Sequence, residues 1–217
     1  MSYLTKEMAQ SAIKKMRTFH EGARELYENF DMNLLDNLGR RNIIMSQTQE
    51  KFFAQELMKT YKGVREDGRT GEPDIVIGQL DKELECKLTS RHRSGSISFQ
   101  SDFETLQKKG SLDYLYVIAD SDFNKFAVLL FEGLTIEDFR PLSTGARGKV
   151  AMFKHKGMKK CRQLVGHAID INMHNIQKCR EKIKNESLPP YQRKKAQKSL
   201  EYWQKTPTKY KFVLEAV

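Results

Sequence analysis

Residues 74–88 leave the chain few ways to fold. Asp74 opens an apolar β-branched run, Ile75-Val76-Ile77, which reads as a short buried strand. Gly78-Gln79 and Asp81-Lys82 supply turn chemistry. The stretch Glu83-Leu84-Glu85-Cys86-Lys87-Leu88 then alternates. Leu84, Cys86 and Leu88 fall on one face of a strand, and Glu83, Glu85 and Lys87 on the other. Two carboxylates and a lysine thus stand in a row opposite an apolar face, with Asp74 at the mouth of the neighbouring strand. Strands are depleted in Asp, Glu and Lys, so stability alone does not account for the row. A solvated Glu-Lys pair on an exposed hairpin is the plain alternative. A divalent cation explains more. Asp74 and Glu85 offer hard oxygen ligands, the Cys86 backbone carbonyl offers another, and Mg²⁺ prefers such oxygens together with waters.

Pro73-Asp74 followed by Glu85-Cys86-Lys87 resembles the motif of the PD-(D/E)XK nucleases, and among them the type II restriction endonucleases. The resemblance implies an α/β fold with a mixed β-sheet core flanked by helices. It implies one domain, with a helical N-terminal region (1–45), a catalytic core (46–135) and a basic, helical C-terminal region (136–217). It implies Mg²⁺-dependent hydrolysis of phosphodiester bonds in double-stranded DNA at a specific short site. Asp74, Glu85, the Cys86 carbonyl and a further acid would hold the metal, and Lys87 would act on the reacting phosphate or water. In similar nucleases a helix ahead of the hairpin often donates that further acid. Glu50 is the candidate, with Glu56 as the alternative. A homodimer with one active site per DNA strand is implied by the same resemblance. A structure-selective, homing or repair nuclease of the same fold would share every one of these residues. A non-catalytic DNA-binding protein is the reading from a different class.

Charge is distributed in a way that fits a polyanion partner. The 217 residues carry a net charge of +10. Residues 149–217 hold 17 Lys or Arg against 5 Asp or Glu, while residues 1–148 hold 21 against 23. The whole excess therefore lies behind the candidate catalytic half, where nucleic acid backbone is the usual partner of such a surplus. Candidate DNA contacts follow: Arg91, His92, Arg93 and Ser94 in the loop leaving the alternating strand, then Arg147, Lys149, Lys154 and Lys156. No run of eighteen apolar residues predicts a membrane span. The Gly-rich stretch at 143–149 lacks P-loop spacing, so no nucleotide cofactor is expected. Three cysteines, at 86, 161 and 179, have no metal-ligand spacing and read as reduced thiols of a cytoplasmic protein, Cys86 as a small core residue.

The remaining elements follow from periodicity. Thr5 to Phe30 predicts a helix, with Met8, Ala12, Met16, Phe19, Ala23, Leu26 and Phe30 recurring at three- and four-residue steps as a stripe for the core or for a dimer surface. Arg40 to Met45 reads as a basic link, and Ser46 or Thr48 as the cap of a second helix ending near Gly63. Residues 114–119 and 126–131 read as buried strands. Lys156 to Lys184 reads as one long helix and Tyr191 to Gln204 as another. Tyr210 to Leu214 reads as a strand returning to the sheet.

Overall fold

The computed structural model describes residues 2–67, 69, 72–90, 97–143 and 148–217. Arg91, His92, Arg93, Ser94 and Arg147 lie outside the described residues. The chain divides into two compact units. The first comprises Met1–His167 with Leu214–Val217, and the second Ala168–Val213.

The first unit contains α1 (Lys6–Glu28), α2 (Leu38–Met58), β1 (Val64–Glu66), β2 (Ile75–Ile77), β3 (Lys82–Ser90), β4 (Gln100–Asp102), α3 (Phe103–Lys109), β5 (Ser111–Ala119), β6 (Lys125–Thr135), β7 (Lys149–Ala151), α4 (Lys154–Gly157) and β8 (Cys161–Val165). The second unit supplies β9 (His167–Asp170, of which His167 alone falls in the first unit), α5 (Ile171–Lys184), α6 (Pro190–Lys205) and β10 (Tyr210–Val213). The short β11 (Glu215–Ala216) belongs to the first unit again. The fold is thus mixed α/β, as the sequence predicts.

The main sheet runs β1-β2-β3-β5-β6-β11, with β8 also paired to β6. All pairings are antiparallel except β3 with β5. That parallel pair needs a crossover, which β4 and α3 provide. Its register sets Glu85 beside Tyr114 and Lys87 beside Tyr116. β5 and β6 are buried along most of their length and read as the apolar runs expected of central strands.

Both faces of the sheet are covered. On one, Leu84, Cys86, Leu115, Val117, Val128 and Leu130 pack against Ala9, Ile13 and Met16 of α1 and Met45, Phe53 and Leu57 of α2. On the other, Phe99, Tyr116 and Phe131 meet edge to face at 4.7–5.7 Å. The buried hydroxyls there are satisfied: Tyr114 pairs with Ser101 at 2.5 Å, and Tyr116 donates to the Gln100 carbonyl at 2.6 Å. The turn into the sheet needs glycine. Gly63 sits at φ +68°, and a Cβ on Gly78 would lie 3.1 Å from the Gly63 carbonyl oxygen.

Several expectations require correction. α2 begins at Leu38, capped by Asn37, whose side chain accepts from the Arg40 N–H at 3.1 Å. Residues 40–45 are therefore helix and not a link, and α2 runs through the expected region boundary at 45/46. In α1 the inward residues are Ala9, Ala12, Ile13, Met16 and His20, whereas Phe19, Leu26 and Phe30 are exposed. Beyond His20 no residue of α1 is buried, so its apolar stripe runs on exposed there. The long helix expected at 156–184 is instead a short α4, the strands β8 and β9, and then α5. Leu164 and Val165 fit helical spacing, but pairing with the exposed edge of β6 buries them. The strand at Tyr210–Val213 pairs with β9 and not with the main sheet, which receives β11.

The second unit is thinly packed. α5 and α6 lie against each other, and β9 pairs with β10. Asn172 fastens it: its buried amide donates to the carbonyls of Trp203, Thr206 and Pro207, while its oxygen accepts from the Lys209 N–H at 3.1 Å.

Candidate active site

Asp74 precedes β2 and takes over where the β2–β3 ladder stops. The last backbone pair is Ile75 with Leu84. Beyond it, the Cys86 N–H donates to Asp74 Oδ2 at 2.6 Å, so a side-chain oxygen occupies the place of a strand carbonyl. The Asp74 backbone is fixed from the other side, since its carbonyl accepts from the Asp67 N–H at 3.0 Å. Along an extended strand the N–H and C=O of one residue point to the same edge. The Cys86 carbonyl therefore faces the edge that Asp74 occupies.

Glu85 and Lys87 stand on β3, two residues apart and on one face. Lys87 Nζ donates to Glu85 Oε1 at 2.5 Å. Neither is freely solvated: 14% of the Glu85 side chain and 32% of the Lys87 side chain is exposed. The pair is thus not the open surface hairpin of the plain alternative. Alternation places the Cys86 side chain in the core between them, 6% exposed, as the sequence predicts.

α2 crosses this edge of the sheet and brings Glu50 to it. Gly39, Asn42, Ile43, Ser46 and Glu50 of α2 line one cleft of about 390 Å³ together with Asp74, Cys86, Lys87 and Leu88. Asn42, Ser46 and Glu50 recur every four residues and so share one helical face. That polar spacing is a readable signal only when residues 40–45 are helix. Glu56 lies elsewhere. It is 3% exposed and accepts from Ser11 at 2.8 Å, Lys15 at 2.8 Å and Lys59 at 2.5 Å, a structural ion cluster between α1 and α2.

The acids of the cleft are buried and, secondarily, close to one another. Burial, and then the charge of Glu85, raise Asp74 to about 6, against the pull of the Cys86 N–H and Lys87. Burial, and then Asp74, raise Glu50 to about 7, with Glu85 and Glu66 adding to the shift and Lys87 opposing it. Glu66 on β1 is an acid that the motif does not signal. Burial works against the Lys87 ammonium, but Glu85 and Asp74 outweigh it, and its pKa ends above the ordinary lysine value.

A cation would relieve this crowding, and the donor set suits a hard one. Among the described residues no group of three or more His, Cys, Asp or Glu side chains is gathered as a metal cage. Mg²⁺ needs no such cage, because it keeps several waters and takes one or two carboxylates. Asp74 and Glu85, with the Cys86 carbonyl, meet that requirement, and Glu50 stands within electrostatic reach.

Of the other candidate contacts, the described ones, Lys149, Lys154 and Lys156, do not line the cleft. Lys149 pairs with Asp102 at 3.3 Å. Lys156 donates to the Glu137 carbonyl at 2.7 Å and rests over the Phe153 ring. Burial, and then Arg140, lower the pKa of Lys154. Missed altogether was Arg41, which is fully buried. Its guanidinium donates to the carbonyls of Asp120 at 3.1 Å and Ser121 at 2.5 Å and to Ser90 Oγ at 2.6 Å, over the face of Phe123 at 5.0 Å. It ties the end of β3 to the β5–β6 turn and so holds the strand carrying Glu85 and Lys87. A lone Arg in a basic run carries no signal of such a role.

No protein-family model matches the chain, and no curated protein is found to be its relative.

Proposed function

We propose that this chain is a Mg²⁺-dependent endodeoxyribonuclease of the PD-(D/E)XK type, cutting double-stranded DNA at a specific short site as type II restriction endonucleases do. One observation carries the reading. Asp74 and Lys87, from adjacent strands, line one cleft with Glu50 of the covering helix, and Glu85 stands beside it, paired to Lys87. A structural salt bridge accounts for Glu85 and Lys87 but not for two further acids raised out of their ordinary range beside it.

Phosphodiesters resist hydrolysis because their negative charge repels the attacking oxygen and the alkoxide leaves poorly. Asp74, Glu85 and the Cys86 carbonyl would hold Mg²⁺, with Glu50 completing the set. The bound ion would neutralise the phosphate and lower the pKa of a coordinated water. Lys87 acts as a held cation. Its ammonium is steered by Glu85 and offers its remaining protons to a phosphate oxygen, where charge builds in the transition state. Asp74 is fixed by the Cys86 N–H before any substrate arrives, so ordering it costs little at the moment of reaction. A homodimer with one cleft per strand belongs to the same proposal.

Incubation of the protein with phage DNA and Mg²⁺, followed by sequencing of the ends, tests the reading. Discrete fragments with common ends are expected. Asp74→Ala and Lys87→Ala should bind DNA as the wild type does and cut it at least about 10²-fold more slowly. Cutting by either variant at the wild-type rate would remove the assignment. A smear would replace site-specific by non-specific cleavage, and preferential cutting of branched DNA would favour a structure-selective nuclease.

A further inference from the structure

Residues 168–213 hold 11 Lys or Arg against 4 Asp or Glu. Among the described residues none of these eleven cations forms an ion pair, whereas the first unit has many, including Lys82–Asp113, Lys109–Glu83 and Lys160–Asp138. Three of the four acids of the second unit are engaged otherwise. Asp170 caps α5, and Glu181 and Glu201 accept from Gln177 and Gln197. Folding of this unit therefore neutralises none of its positive charge. Such a surplus on 46 residues with few buried side chains opposes compaction and is kept where a polyanion offsets it.

The hairpin also has a groove. Cys179 and Lys182 of α5 and Tyr191, Gln192, Lys195, Ala196 and Ser199 of α6 line about 370 Å³. Two ammonium groups, an amide, a hydroxyl and a phenol converge there, all of them side chains that take phosphate oxygens. We propose that the α5–α6 hairpin is a sequence-independent docking module for the backbone of double-stranded DNA, with a phosphate seated between Lys182 and Lys195. A duplex fits better than a single strand. Single-strand grooves stack successive bases on successive rings, and Tyr191 is the one ring in this groove. The proposal rests on DNA being the partner in the reading above, and not on cleavage. It assigns the hairpin bulk affinity, leaving choice of site to the first unit.

The test uses the full-length protein in EDTA, with fluorescent duplexes of unrelated sequence followed by anisotropy across a salt series. Each phosphate neutralised contributes about 0.9 to the slope of log K against log salt. Lys182→Gln combined with Lys195→Gln should lower that slope by about 0.9 and weaken every duplex alike. Both lysines are exposed, so the double variant should keep the wild-type circular dichroism spectrum. An unchanged slope overturns the proposal, as does tighter binding to RNA of equal length or to phosphatidylserine vesicles. Cleavage by the wild type in Mg²⁺, read beside the slope, separates the two readings. If the wild type cuts DNA but the lysine pair leaves the slope alone, the hairpin assignment fails and the nuclease stands. If nothing cuts but the slope falls, the outcome is reversed.

Discussion

At the scale of single residues, Glu50 is the most informative group. Its carboxyl ordinarily titrates near 4.5, and burial with Asp74 beside it raises that to about 7. Between those values the folded protein keeps a proton that the unfolded chain has lost, so in metal-free protein this group makes stability fall as pH rises from about 4.5 to 7. Glu50→Gln removes the penalty. The variant should match the wild type below that window, then exceed it by on the order of 1 kcal/mol above pH 7, after allowing for the part of the carboxyl that water reaches. This corresponds to about 2–4 °C in Tm for a chain of this size, measurable by calorimetry in EDTA. Added Mg²⁺ should raise the wild-type Tm more than that of the variant. A variant melting below the wild type at pH 8 in EDTA would mean that Glu50 is a structural partner and not a strained acid. Glu85 and Lys87 were legible in advance because alternation assigns them a face. The depth at which Glu50 sits was not, since it depends on what packs over α2.

At the scale of elements, position along the fold comes from a few clamps. Arg41 joins α2, the end of β3 and the β5–β6 turn through two carbonyls and a hydroxyl, with a cation–π contact beneath it. Burial lowers its pKa, though Asp120 and Asp122 oppose this. Replacing it by Met keeps the volume and leaves those acceptors unpaired, which should cost about 2–4 kcal/mol. Urea denaturation checks this: the midpoint should fall while the m-value holds. Arg41→Lys should recover little, because an ammonium is a point donor and cannot reproduce the fork. A midpoint shift of less than about 0.5 kcal/mol would show that water replaces the guanidinium without loss. Elements also show where periodicity misleads. Residues 156–184 satisfy helical spacing, yet β8 forms within them because an unpaired edge of β6 lies beside it. Backbone hydrogen bonds to that edge outweigh a local pattern made of few apolar residues.

At the scale of the whole molecule, the charge asymmetry seen in the sequence follows the division of the chain into two units. The acids of the first are largely paired or gathered at the cleft, and the cations of the second are unpaired. The proposed homodimer adds a prediction at this level. Where sedimentation finds a dimer, a supercoiled plasmid bearing one site should pass directly to the linear form. Dilution below the dissociation range should make nicked circles accumulate first. A monomer at every concentration that still linearises DNA in one step would take the dimer out of the proposal.

The sequence by itself determined what short-range geometry determines. Strand alternation set Glu85 and Lys87 on one face and Cys86 in the core, β-branched residues made β2, and composition located the basic segment. The tertiary structure decided what depends on neighbours distant in the chain. It set the start of α2 at Leu38, placed Glu50 rather than Glu56 in the cleft, buried Arg41, and paired β8 with β6. The physical reason is common to all four. A side chain's face follows from its own backbone, but its burial, its partners and its proton affinity follow from whatever is packed against it.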